Sequence, residues 1–468
     1  MRIQFHGAAG GVTGCCHLLS TDRARVLLDF GLHQGGPHDD ELNRRLPAFD
    51  APRLDAVVLS HAHIDHCGRL PLLPGLQCRA PIWCTPATRE LCGIQLPDSA
   101  NQQAHDREHT AGGRTTGQRT ADERRPPPPP LYDQDDVARV LEQFSPLPYH
   151  RTQEIAEGVR LTFHDAGHIL GSCIVALDVE ERGRRARLVF TGDVGNWPVP
   201  LLRDPEFLDS ADVLLLESTY GDRNHRTREA TLEELTGVLD AARRRAGKVL
   251  MPSFAVGRTQ ELIYHFGALS RANHLGLPVF VDSPMAVSVT ELYRRHVELL
   301  DDEAHALLQR GDRPLDFPGL HLTRTTEESM ALNTRPGAAV IIASSGMCTG
   351  GRIVHHLRHH AGDPDTQIVI VGYQAERTPG RALVDGARSI VVLGHPVRVA
   401  ASVHTLGGLS AHADQQRLMT WAGKFRAARP RTFLVHGEDG ARKALAARLR
   451  GELGLDVTLP VVGDAAEF

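Results

Sequence analysis

Paired thiolates are missing from this chain. Its eight cysteines (Cys15, Cys16, Cys67, Cys78, Cys84, Cys92, Cys173 and Cys348) include no C-x-x-C and are irregularly spaced, which argues against both a disulfide framework and a thiolate zinc site. Reduced, buried thiols are expected instead. No apolar run approaches the ~18 residues that span a bilayer, and Met1 to Phe5 carries neither a basic nor an apolar leader region. A cytoplasmic protein with no membrane partner is expected. Basic excess is absent as well: the net charge is −5 at pH 7, so any polyanion must be held by a local patch. Lysine is nearly absent, with Lys248, Lys424 and Lys443 set against 49 arginines. Aromatic residues make up only 5% of the 468 positions, too few for extensive base stacking.

What is abundant is histidine in one place. Ser60-His61-Ala62-His63-Ile64-Asp65-His66-Cys67-Gly68 follows the apolar run Ala56 to Leu59 and offers three imidazoles and a carboxylate, the donors a borderline divalent metal prefers. Four groups that close do not comfortably serve one ion. The spacing suggests a pair, with His61 and His63 on one cation and Asp65 and His66 on the other.

Further candidates stand at predicted strand ends. Arg25 to Leu28 leads to Asp29 and Gly31, where a carboxylate can orient a ligating histidine or cap a turn. Val159 to Phe163 leads through His164 into a glycine-flanked turn holding His168. His168 is the better ligand and His164 reads as a packed side chain. Arg187 to Phe190 ends in Thr191-Gly192-Asp193, where one carboxylate can serve two cations about 3.5–4 Å apart. The glycine-rich stretch Gly7 to Gly14 lacks the order of a dinucleotide loop and reads as a tight strand connection.

Asp29, the H-x-H-x-D-H loop, His168 and Asp193 together resemble the metallo-β-lactamase superfamily. The resemblance implies an α/β fold, the αββα sandwich of two mixed sheets with the metals at one edge. It also implies two Zn²⁺ per chain: His61, His63 and His168 on one, Asp65 and His66 on the other, Asp193 bridging, and Asp29 behind them.

The second half narrows the family. After Glu217-Ser218-Thr219, strands alternate with helices over residues 224–386, passing through Gly257-Arg258 and Ser344-Ser345-Gly346, and the chain then returns with Ser402 to Asp414 and Phe433 to Glu438. An inserted α/β unit with a largely parallel sheet is expected. This arrangement is similar to the β-CASP RNA-processing nucleases, which implies a metallo-β-lactamase domain over 1–222, a β-CASP domain over 223–388 and a return over 389–468. By that resemblance Glu217 fills the acidic motif A, and His412 fills motif C as last ligand of the second zinc. The upstream motif B histidine, partner of Glu217, is His404 or His395, with His404 favoured because it follows a strand. Residues 101–130, ending in five prolines, are expected to form a flexible surface excursion, 105–130 above all.

The implied reaction is hydrolysis of RNA phosphodiester bonds, with Asp65 or Asp193 taking a proton and a histidine oriented by Glu217 protonating the leaving oxygen. Single-stranded RNA is the expected partner, and the resemblance allows a homodimer. Ser344, Ser345 and Gly346, in a strand-to-helix turn, and Arg258, at a helix start, are candidate phosphate contacts. The rival readings are a di-zinc hydrolase of small esters or thioesters, a DNA nuclease of the same superfamily, and an inactive scaffold.

Overall fold

The computed structural model describes residues 1–34, 38–45, 48–112 and 129–468. Two seven-stranded mixed sheets lie face to face. One runs, edge to edge, Ala465–Glu467, Arg2–Gly7, Cys16–Ser20, Arg25–Leu28, Ala56–Val58, Ile82–Cys84 and Phe144–Pro146. The other runs Asp456–Thr458, Arg431–Val435, Val213–Glu217, Arg184–Phe190, Cys173–Glu181, Val159–Asp165 and Thr152–Ala156.

The strand sequences explain this layering. Alternate residues of a strand face opposite ways, and the central strands are apolar on both faces. Leu188, Phe190, Val213 and Leu215 enter the core between the sheets with Ile3, Phe5, Val26 and Val58. Val189, Leu214 and Leu216 face outward onto Leu418, Trp421 and Leu445, which belong to the helices Gln415–Ala422 and Asp439–Arg448. On the far side Val57 and Ile82 meet Leu91 and Leu96 of the helix Pro86–Gly112. Each fully buried aliphatic or Phe side chain of this kind contributes on the order of 1.5–3 kcal/mol. The outcome is the helix–sheet–sheet–helix order expected. All eight cysteines are free and buried. Among the described residues no helix is long and apolar enough to cross a membrane.

The inserted unit has its own six-stranded, all-parallel sheet, in the order Leu320–Thr323, Val279–Asp282, Ala339–Ala343, Lys248–Pro252, Gln367–Ile370, Ser402–Thr405. Its strands are apolar on both sides because both sides are covered. Val249, Met251 and Ile342 join the core under the Pro86–Gly112 helix, and Leu250, Ile341 and Ile368 form a separate cluster. The helix Pro284–Arg295 starts where Ser283 caps Ala286 N–H at 3.2 Å with Pro284 at the first position.

Two expectations need correction here. The edge strand Ser402–Thr405 belongs to the inserted sheet, so that unit extends past 388. Residues 101–112, expected in a flexible excursion, continue the helix Pro86–Gly112; a polar composition does not stop a helix from keeping its local backbone bonds. Residues 113–128 of the same expectation lie outside the described residues.

Candidate metal centre and cleft

Strand ends converge at one rim of the sandwich. Three parallel neighbours, Arg184–Phe190, Val213–Glu217 and Arg431–Val435, run out toward Asp193, Glu217 and His436. From the opposite sheet, Arg25–Leu28 and Ala56–Val58 deliver Asp29 and the His61 loop. Close approach depends on glycine at two points. A Cβ on Gly31 would lie 1.6 Å from the Asp65 carbonyl oxygen, and one on Gly192, whose φ is +53°, would lie 2.8 Å from Ser60 Cβ.

The first group is His61, His63, His168 and Asp193, with one ligand atom from each within 4.8 Å of the others. His61 Nε2 and His168 Nε2 lie 3.1 and 3.2 Å from His63 Nδ1, and 3.4 and 3.6 Å from Asp193 Oδ2. A tetrahedron with bonds of about 2.0–2.1 Å to zinc has edges of about 3.3 Å. The donor set fits such an ion. Burial also holds all three imidazoles neutral, pushing His61 down to about 3 and lowering His63 and His168.

The second group is Asp65, His66 and His436. His436 Nε2 lies 3.3 Å from Asp65 Oδ2, and His66 Nε2 lies 4.0 Å from the same oxygen. Asp193 faces both groups: its Oδ2 belongs to the first, while Oδ1 is 3.4 Å from His66 Nε2. Both Asp193 Oδ1 and His66 Nε2 are buried without a hydrogen-bond partner. Two such orphans are costly unless a cation takes them up. Burial opposes ionisation of Asp193, but His436 and His66 outweigh it and hold the carboxyl well below its usual range.

Behind these groups the tautomers are fixed. Asp29 is fully buried and accepts Ser60 N–H, Ser60 Oγ–H and His66 Nδ1–H, each at 2.7 Å. With its proton committed to Asp29, Ser60 Oγ accepts from His61 Nδ1 at 3.0 Å. His168 Nδ1 donates to Ala411 O at 3.3 Å, and His436 Nδ1 to Thr219 Oγ1 at 3.0 Å. Each arrangement leaves Nε2 without the ring proton and turned toward the two donor groups.

Glu217 is also fully buried; it accepts Val194 N–H at 2.8 Å and Thr219 N–H at 3.2 Å. Its third partner is His412, whose Nδ1 is 3.3 Å from Oε1 and 3.9 Å from Asp193 Oδ2. Burial opposes the charge on His412, but Glu217 and Asp193 prevail and raise its pKa.

The expected motif assignments therefore change. His412, expected as last ligand of the second metal, stands beside Glu217, and His436 occupies the place beside Asp65 and His66. His404 is half-buried on the edge strand of the inserted sheet, where Nε2 meets Gln367 Oε1 at 2.9 Å. His395 is exposed on a two-stranded ribbon. Neither approaches Glu217. His436 was present in the sequence as a residue following an apolar strand and preceding glycine, the same signal that marked Asp193 by its strand.

A cleft of about 230 Å³ opens over these residues, lined among others by His63, His412, Phe254, Arg258, Ser344 and Ser345. Arg258 is buried and its guanidinium pairs with Glu261. The serine turn differs from expectation. Ser345 N–H is taken by Gly350 O at 3.1 Å, and its Oγ accepts Thr349 N–H at 3.0 Å. Ser344 Oγ donates to Ser283 at 2.7 Å. The next helix, Ile353–His360, starts well beyond the turn, so residues 344–346 are not a helix N-terminus. Gly346 is closed against the Phe254 ring, 2.7 Å from where a Cβ would stand.

Family models match three consecutive stretches: a metallo-beta-lactamase superfamily domain at residues 18–189, a Beta-Casp domain at 259–383, and a Zn-dependent metallo-hydrolase RNA specificity domain at 396–460. A curated relative, ribonuclease TTHA0252 of Thermus thermophilus, is 39% identical over 99% of this chain and 99% of its own length. The chain belongs to the β-CASP family of the metallo-β-lactamase superfamily. The transcription termination factor FttA of Pyrococcus horikoshii is 32% identical across 98% of this β-CASP chain and 70% of its own. A crystal structure of an Enterococcus faecalis protein of unknown function shares the fold, at TM-score 0.54, 12% identity and 99% coverage of both chains.

Proposed function

We propose that this β-CASP protein is a zinc-dependent ribonuclease that hydrolyses phosphodiester bonds in single-stranded RNA. The observation that carries the reading is Asp193, whose two oxygens face two separate donor groups at spacings suited to zinc. The matched RNA specificity domain and the ribonuclease relative support the substrate class.

His61, His63, His168 and Asp193 would hold one Zn²⁺, and Asp65, His66, His436 and Asp193 a second. Bound there, the ions supply a water of lowered pKa and offset charge building on the phosphoryl oxygens. The protein's own part is to hold and move protons. Asp65, ionised and half inside the cleft, is placed to accept one. His412 carries its Nδ1 proton on Glu217, so the ring is oriented and biased toward the charged form, as a general acid for the leaving 3′-oxygen requires. Cleavage would leave a 3′-hydroxyl and a 5′-phosphate. Arg258, fixed by Glu261, would meet a substrate phosphate, and Ser344 and Ser345 would shape the wall beside it.

Labelled single-stranded RNA, with and without chelator, tests the reading. Cleavage lost on chelation and restored by zinc is expected, with binding that weakens steeply between about 50 and 300 mM salt because phosphate contacts dominate. Cleavage indifferent to chelator would overturn it. Asp29→Asn supplies a second check, since an amide cannot accept all three bonds that Asp29 accepts. Zinc affinity is expected to fall by about 10–100-fold, measured by competition with a chromogenic chelator.

A further inference from the structure

Away from the cleft, three side chains from distant parts of the chain meet at the base of the turn that carries His168. Glu206 Oε1 is 2.7 Å from His150 Nε2, and Oε2 is 3.1 Å from His164 Nδ1. The two rings are 5.8 Å apart between centroids, and one donor atom from each of the three residues lies within 4.8 Å of the others. None of the three lines the cleft. His164, expected as a packed side chain, is partly exposed and turned toward this carboxylate.

We propose that His150, His164 and Glu206 form a further binding site for a borderline divalent cation such as zinc, separate from the cleft. Two imidazole nitrogens and a carboxylate oxygen are a donor set zinc accepts, and three protein ligands leave one position for water. Solvent can reach that position because the His150 side chain is 64% exposed.

The site is built rather than casual, since main-chain bonds fix every ligand. His150 N–H donates to Phe163 O at 2.9 Å. His164 lies within the strand Val159–Asp165, paired with Ile174. Glu206 is held from both sides: its N–H donates to Asp165 O at 2.9 Å, and its C=O accepts the indole N–H of buried Trp421 at 2.9 Å. Asp165 N–H also donates to Glu206 Oε1 at 3.1 Å, the kind of outer bond that orients a ligating carboxylate. These contacts, with both histidines, overcome the cost of burial and bring the Glu206 carboxyl down to about 2.

A cation here would tie the 150 loop, the end of the Val159–Asp165 strand and the 206 segment together beneath Gly167 and His168. Its role would be to hold the turn, not to react.

The test is metal content after dialysis of the whole protein against buffered zinc, comparing wild type, His150→Ala and Glu206→Gln. Each variant is expected to carry about one equivalent less than wild type while still cleaving RNA, because neither residue belongs to the cleft. Added zinc should raise the wild-type Tm more than that of His150→Ala. Should Glu206→Gln fold poorly, His150→Ala, altered only at an exposed side chain, decides alone. Equal metal content in wild type and His150→Ala would reduce the trio to a hydrogen-bonded ion pair. A metal loss accompanied by loss of cleavage would assign the missing ion to the cleft and overturn the proposal equally.

Discussion

His436→Ala is expected to lower RNA cleavage by about 10³-fold, some 4 kcal/mol in activation free energy, and to release metal from one of the two cleft groups. The imidazole stands 3.3 Å from Asp65 and in the same donor group as His66. Without it that group keeps Asp65, His66 and a shared Asp193 oxygen. A lost ligand should cost more affinity than the 10–100-fold typical of an outer-layer partner. Thr219 Oγ1, which meets the ring at Nδ1, can still bond to the 436 carbonyl oxygen, at 3.3 Å. Metal content and cleavage measured on the same samples decide the matter. If His436→Ala kept its full complement of zinc and His412→Ala lost one ion, the ligand assignment would have to revert to His412.

Why the sequence pointed to His412 for that place, and not His436, is a question of sheet order. Ligands within one loop, His61 to His66, are legible because their spacing is local. Asp29, His168 and Asp193 are legible because each ends an apolar strand or sits in a glycine turn. Phe433-Leu434-Val435-His436-Gly437 has the same form as the approach to Asp193, yet nothing local says that Arg431–Val435 lies beside Val213–Glu217, itself beside Arg184–Phe190. That pairing brings His436 beside Asp65 and Asp193. His404 misled for the converse reason. It too ends an apolar stretch, but its strand pairs with Gln367–Ile370 in the inserted sheet, which also displaces the boundary expected at 388. Helical continuation through residue 112 was hidden by polarity: composition reports what a segment can bury, whereas a helix docked along its first turns needs to bury little more at its end.

His412→Ala is expected to slow cleavage of RNA by about 10²–10⁴-fold while leaving metal content unchanged, the reverse of the pattern for His436. Glu217 is the reason. Fully buried and already accepting two backbone N–H bonds, it is held rigidly, and the His412 ring rests on it at 3.3 Å. A carboxylate so placed favours the imidazolium and fixes which nitrogen faces the cleft, as a proton donor to an alkoxide demands. A leaving group that is stable as an anion needs no such donor. A p-nitrophenyl phosphodiester should therefore be hydrolysed by His412→Ala at close to the wild-type rate, so that the defect is large on RNA and small on the activated ester. His404→Ala should cleave RNA as the wild type does, since its ring bonds to Gln367 on the inserted sheet and does not line the cleft. An equal defect of His412→Ala on both substrates would mean that the histidine positions the cleft or its metals instead of donating a proton.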